Sequence, residues 1–275
     1  MKRESDIRYH YSVDQLLWRI ERGIEALGLT RNQLSVADLA PVDEFHIGGR
    51  TASEHLFNQL SLKPEQHWLD IGCGLGGAAR FVGETYRCQV SGIDLTDDYL
   101  TVAKALSSWV ELDAALSFCR GSALQMPYDA ASFEGAYMLH VGMNIENKQG
   151  LFDEVARVLK PGACYAIYDI MQLEEGELTY PVPWASVPGH SFVATIETYK
   201  AQLDAAGFEL QSYTSRAHFA DNFLTQLMQK VAQQGPGPLG LHLLMGEQTG
   251  LKIKNMARAV KASTIAPVEI IARKM

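Results

Sequence analysis

Between Trp68 and Leu95 the chain holds two short apolar runs, each delivering an aspartate, with closely spaced glycines between them. The first reads Trp68-Leu69-Asp70-Ile71-Gly72-Cys73-Gly74-Leu75-Gly76-Gly77 and the second Ser91-Gly92-Ile93-Asp94-Leu95. Few folds accept this pattern. Glycine turns the backbone through positive φ and lets it approach a ligand closely, so the first run predicts a strand, a tight loop and a helix beginning near Ala78. A second strand from Cys88 to Ile93 then carries Asp94 to its carboxyl end, where a carboxylate accepts hydrogen bonds from both ribose hydroxyls. Together the two runs describe a nucleotide-shaped hole in an α/β protein.

The glycines alone do not choose the nucleotide. Gly72, Gly74 and Gly77 satisfy G-x-G-x-x-G, and an acid follows at roughly the ~20-residue spacing of a nicotinamide site. Asp70 tips the choice, because a carboxylate at the mouth of the loop repels a pyrophosphate but suits the ammonium group of a methionine tail. A sulfonium likewise favours a site poor in cations.

Further motifs follow in order: Gly121-Ser122-Ala123-Leu124-Gln125-Met126-Pro127-Tyr128, Ser132-Phe133-Glu134-Gly135-Ala136-Tyr137 and Val158-Leu159-Lys160-Pro161-Gly162. With the glycine loop they resemble class I S-adenosylmethionine-dependent methyltransferases, as the adenine-binding segment, the fourth strand and the turn before the fifth. The resemblance implies a doubly wound, Rossmann-like, seven-stranded sheet, mostly parallel with an antiparallel last strand, plus a helical cap. It implies S-adenosylmethionine as cofactor and S-adenosylhomocysteine as product. It also implies cofactor-binding roles for Asp70, Gly72, Cys73, Gly74, Asp94, Leu95, Ser122 and Ala123. One departure stands out: the family often has an acid where this chain has Ser122, and a hydroxyl accepts more weakly from the adenine amino group.

Two further candidates flank the loop. Asp43-Glu44-Phe45-His46-Ile47-Gly48-Gly49-Arg50 resembles a segment of small-molecule members in which amides before a Gly-Gly pair meet the methionine carboxylate, and Gly48-Gly49 precede a helix predicted over 51–60, whose amino end favours an anion. His140 falls where the fourth strand ends, beside the sulfonium in family members. It is a candidate both for cofactor contact and, with His46, for proton removal. Tyr9 and Tyr11 are candidate walls around the methyl group.

Elsewhere the chain reads as one unit with no clean linker: a helical segment over 1–62, a core over 63–216 and 264–275, and a helical cap over 217–263. Ser12-Val13-Asp14-Gln15 reads as a capping box for a helix whose apolar face is Leu16, Leu17, Ile20, Ile24 and Leu27. Strand and helix signals alternate from Trp68 to Asp169, which implies parallel strands covered on both faces. Thr96 reads as the cap of the helix after Asp94. Pro181, Pro183 and Pro188 exclude regular structure from an ordered loop over 173–191. Lys252, Lys254, Arg258 and Lys261 read as a solvated helix face.

A formal net charge of -8 argues against general affinity for nucleic acid. No apolar run approaches the ~18 residues of a membrane span, and the cysteines and histidines show no metal-ligand spacing. Cys73, Cys88, Cys119 and Cys164 read as buried thiols of a reducing compartment, the cytoplasm.

The expected activity is methyl transfer to a small-molecule amine or hydroxyl, with sarcosine or dimethylglycine as the subfamily resemblance and Arg50 as carboxylate clamp. The alternatives are C-methylation of a prenylated quinone or sterol-like acceptor, a nicotinamide oxidoreductase, and a cofactor-binding protein without catalysis. A homodimer is compatible with the sequence, which does not specify oligomeric state.

Overall fold

The computed structural model describes Glu4 and residues 15–275. The predicted capping box at 12–15 and the two tyrosines, Tyr9 and Tyr11, fall on or across the residues outside that description. The helix that follows, α1 (Leu16–Ala26), buries Leu16, Ile20 and Ile24 on one face, while Gln15 gives it no side-chain cap. α2 (Val36–Asp43) opens on a reciprocal box in which Ser35 and Asp38 bond each other's backbone. α3 (Gly49–Phe57) then leads into the sheet.

Seven strands form the sheet: β1 (His67–Ile71), β2 (Gln89–Asp94), β3 (Leu116–Arg120), β4 (Phe133–Leu139), β5 (Leu159–Gln172), β6 (Phe208–Ser215) and β7 (Ile265–Lys274). Their order is β3-β2-β1-β4-β5-β7-β6. The first five run parallel, and β7 lies antiparallel between β5 and β6. The crossover helices are α4 (Gly77–Tyr86), α5 (Asp97–Trp109), α6 (Lys148–Val158) and α7 (Ile196–Ala205). Between β6 and β7 stand α8 (Ala217–Gln234), the single-turn α9 (His242–Met245) and α10 (Thr249–Lys261).

The period of two in the strands explains the layering. Leu69, Ile71, Met138, Tyr165 and Ile167 point to one face, where α6 and α7 cover them with Phe152 and Tyr199. Trp68, Tyr137, Ala166 and Tyr168 point to the other, against Phe57, Phe81 and Val82. Both faces are dry, as parallel strands between helices require. Gly135 is part of this fit, because a Cβ there would stand 2.4 Å from the Trp68 ring.

Strand order reverses between β1 and β4, so the crevice for a ligand opens at their carboxyl ends. Over that edge a third apolar cluster joins Ile47 before α3 and Met143 after β4 to Trp184, Leu224, Met245 and Met256 from the 173–191 loop, α8, α9 and α10. The loop is ordered against the core through Val182, Trp184 and Ala185. Lys252 corrects the solvated reading of α10: it is 7% exposed and burial holds its amine below the ordinary lysine range, while Lys254, Arg258 and Lys261 are exposed. No helix among the described residues is long and apolar enough to cross a membrane.

Candidate active site

The glycine loop is fixed by backbone bonds to the neighbouring strand. Gly72 and Cys73 both donate to the Ile93 carbonyl, at 2.8 and 3.1 Å. Gly74 donates to Asp94 Oδ2 at 3.0 Å, and Thr96 donates to Asp94 Oδ1 at 2.9 Å. Asp94 thus organises the loop and keeps lone pairs on both oxygens for a ligand. Thr96 stands at the N-cap position of α5, as expected, though its side chain makes no cap bond.

Gly72 has φ +70° and Gly74 φ +52°, conformations that disfavour a side chain. They differ in surroundings. A Cβ on Gly72 would meet Val141 at 2.4 Å, whereas no atom of the described residues lies within 4 Å of one on Gly74, which opens into the crevice.

Asp70 is 2% exposed, and its Oδ2 has no hydrogen-bond partner among the described residues. Burial, offset in part by the Tyr137 hydroxyl and reinforced by Asp94 and Glu44, lifts its carboxyl to about 8. A buried acceptor left unsatisfied costs about 1–3 kcal/mol. A ligand ammonium would satisfy it.

These groups line a cavity of about 470 Å³. Asp70, Gly72, Cys73, Gly74, Asp94, Leu95, Ser122, Ala123, His46 and His140 all border it. Gly48 and Gly49 do not: Gly48 packs so closely on Phe219 that a Cβ would stand 2.5 Å from its ring, and the Gly49 amide donates to the His46 carbonyl at 3.1 Å. Sequence reasoning also missed Glu4, Asp43, Phe45, Thr96, Tyr99 and Leu244 in the lining. Of these, only Phe45 and Asp43 carried a signal, standing beside His46 in the motif already singled out.

His140 follows β4 with φ +55°, a conformation uncommon for a residue with a side chain. Its amide donates to the Tyr168 carbonyl at 2.7 Å, and its ring lies 5.1 Å from that of Tyr168. Nε2 is buried with no hydrogen-bond partner among the described residues, and burial holds the imidazole well below its ordinary range, hence neutral. His46, 5.9 Å away, has its Nε2 3.0 Å from the Gly49 carbonyl oxygen, 3.1 Å from Ser53 Oγ and 3.4 Å from Glu44 Oε2. Burial outweighs the Glu44 charge and lowers its pKa as well.

Both histidines and Phe45 also border a second, smaller cavity of about 40 Å³, walled by Met143, Trp184, Phe223, Leu224, Met245 and Met256. No lysine or arginine among the described residues lines either cavity. Arg50 bonds Glu44 and stacks over Phe81, its guanidinium 4.4 Å from the ring centroid, so it is not placed to clamp an acceptor carboxylate.

One ion pair braces the whole site. Arg80, wholly buried, donates to Asp43 at 2.5 Å, to the Leu75 carbonyl of the glycine loop at 2.7 Å and to Ser107 at 3.1 Å. It ties the end of α2 to the loop and to α5.

The orphaned Asp70 oxygen, the open face of Gly74, and Asp94 with lone pairs to spare fit a ligand bearing an ammonium, a narrow backbone-hugging segment and a ribose. Comparison with known proteins agrees. The family described as Methyltransferase domain matches residues 69–167. A 24-methylenesterol C-methyltransferase 2 of Arabidopsis thaliana is 33% identical over 126 residues, covering 46% of this chain and 35% of that protein. An O-methyltransferase of Pyrenophora dematioidea is 27% identical over 206 residues, 73% of this chain and 75% of that one. The chain spans about a third of the length of the sterol methyltransferases it matches. In fold, it superimposes on a geranyl diphosphate C-methyltransferase from Streptomyces coelicolor with a TM-score of 0.72 at 16% identity, over 100% of this chain and 99% of the other. Residues 69–167 therefore match the methyltransferase-domain family, and the whole chain shares the fold of small-molecule methyltransferases.

Proposed function

We propose that this protein transfers the methyl group of S-adenosylmethionine to a hydroxyl or amino group on a compact, largely apolar small molecule. The observation that carries this reading is the position of His140, whose Nε2, unpartnered among the described residues, stands where the cofactor cavity meets the apolar chamber under α8 and α10. When bound, the cofactor supplies a methyl carbon activated by its sulfonium.

The chain's own groups divide the remaining work. Asp70 faces the ammonium, Asp94 the ribose hydroxyls, and Leu95, Ala123 and Leu124 the base. Phe45, Met143 and Trp184 exclude water and hold the acceptor in line, and proximity of this kind supplies roughly 7–11 kcal/mol in favourable cases. The acceptor oxygen or nitrogen would take the methyl carbon of a bound S-adenosylmethionine, the electron pair staying on sulfur, and His140 Nε2 would take the acceptor's proton. His46, engaged with Gly49 and Ser53, positions His140 from the side. The free cysteines suit a reducing compartment such as the cytoplasm.

A lining without lysine or arginine among the described residues favours a neutral acceptor over a methylated glycine. The apolar walls favour as second reading C-methylation of a prenyl-like chain, with His140 removing a proton from carbon. Incubation with methyl-labelled S-adenosylmethionine and acceptors of each class tests the proposal. Label on oxygen or nitrogen of a neutral apolar acceptor, with turnover falling ~100-fold or more in His140→Ala, supports it. Label on carbon supports the second reading. Tight cofactor binding with no turnover of any acceptor would identify a binding protein.

A further inference from the structure

Across the crevice the strands set out their ends in the order β1, β2, β3. Asp70 belongs to the first, Asp94 ends the second, and Gly121-Ser122 follow the third, with the Gly121 amide donating to the Asp94 carbonyl at 3.0 Å. If Asp70 meets the ammonium and Asp94 the ribose, the base lies beyond, against Leu95 and the 121–125 segment. The purine edge of adenine there presents an amino group, a donor of two hydrogens that requires an acceptor.

Ser122 is committed elsewhere. Its hydroxyl donates to Glu4 Oε1, and its oxygen accepts from the Leu124 amide at 3.1 Å. Glu4, 118 residues away in sequence, lines the cavity beside it. A carboxylate offers about four acceptor sites, of which Ser122 uses one.

We infer that Glu4 is the residue that selects adenine, its carboxylate accepting from the 6-amino group while Ser122 holds it in place. This rests on the proposed binding of S-adenosylmethionine. A 6-oxo purine would turn a carbonyl oxygen toward the acceptor that met the amino group, a mismatch of the kind that discriminates strongly between analogues. Ser122 then acts as a positioning residue.

Calorimetric titration of the full chain with S-adenosylhomocysteine and S-inosylhomocysteine tests this. The wild type binds the adenosyl ligand at least ~10-fold more tightly. In Glu4→Ala that ratio collapses to within ~3-fold, and in Glu4→Gln, whose amide presents either a carbonyl or an amino group, the inosyl ligand gains affinity. Adding Ser122→Asp to Glu4→Ala restores the preference by placing a carboxylate on the 121–125 segment instead. An unchanged ratio in Glu4→Ala and Glu4→Gln, with or without an equal loss for both ligands, overturns the assignment while leaving the cofactor reading intact. A wild type that binds neither ligand overturns both.

Discussion

With Asp70 facing the cofactor's ammonium, as proposed, binding should release a proton. With the carboxyl lifted to about 8 by burial, about nine-tenths of the ligand-free protein holds a proton there at pH 7. An ammonium about 4 Å away gains about 4 kcal/mol from the ionised carboxylate at the effective dielectric of such sites. That equals about 3 units of pKa, enough to bring the carboxyl to about 5 and ionise it in the complex. Binding at pH 7 then expels about 0.9 proton, and affinity for S-adenosylhomocysteine rises about ninefold from pH 6 to pH 7. The charged groups acting on Asp70 are Asp94, Glu44 and Arg80, and His46 and His140 both have lowered pKa values. The assay is calorimetry at one pH in two buffers of different ionisation enthalpy, with the pH series run separately. The observed enthalpies should differ by about nine-tenths of the buffers' difference. In Asp70→Asn both the buffer dependence and the pH slope should vanish. Enthalpies independent of buffer in the wild type, or a slope that survives in Asp70→Asn, would refute the reasoning. The same shift acts on folding with a defined sign: the folded state holds a proton that the unfolded state has released, so this group's contribution to stability declines as pH rises from about 4 to about 8.

Other outcomes follow from the brace and the loop. Arg80→Leu leaves Asp43 buried without its partner and should cost about 3–5 kcal/mol, read from the denaturant midpoint. Adding Asp43→Ala should recover part of that loss. Gly72→Ala drives a methyl group into Val141 at a positive φ and should lower both the melting temperature and cofactor affinity, the latter at least ~10-fold. Gly74→Ala meets no atom of the described residues, so cofactor affinity should fall while stability drops by no more than about 1–2 kcal/mol, the cost of the left-handed backbone.

The parts of this site legible in the sequence are those built by short-range grammar. An apolar strand, a glycine turn and an acid at the next strand end are fixed within 25 residues, and Asp70, Gly72, Gly74 and Asp94 all line one cavity. Partnerships across the chain were not legible. Arg80 reads as an ordinary helix residue until the fold buries it against Asp43, and Glu4 reads as a tail acid until it meets Ser122. Local rules also misled where tertiary contacts override them. Gly48-Gly49 looked like an anion-binding turn, yet Gly48 is there because Phe219 from α8 leaves no room for a side chain. Thr96 takes the N-cap position read for it, yet its side chain makes no cap bond and its amide serves Asp94. Lys252 looked solvated because periodicity alone does not reveal which neighbours cover a helix face.

The central claim is that residues 69–167 with their flanking helices form a working S-adenosylmethionine site. Its most direct test is calorimetric titration of the purified chain with S-adenosylmethionine, S-adenosylhomocysteine and NAD, repeated with Asp94→Ala. Losing hydrogen bonds between the ribose and a charged acceptor removes about 1.5–3 kcal/mol each, so the account predicts micromolar binding of the first two ligands and a loss of ~10-fold to 100-fold or more in the variant. Binding of NAD instead, or wild-type affinity in Asp94→Ala, would contradict it.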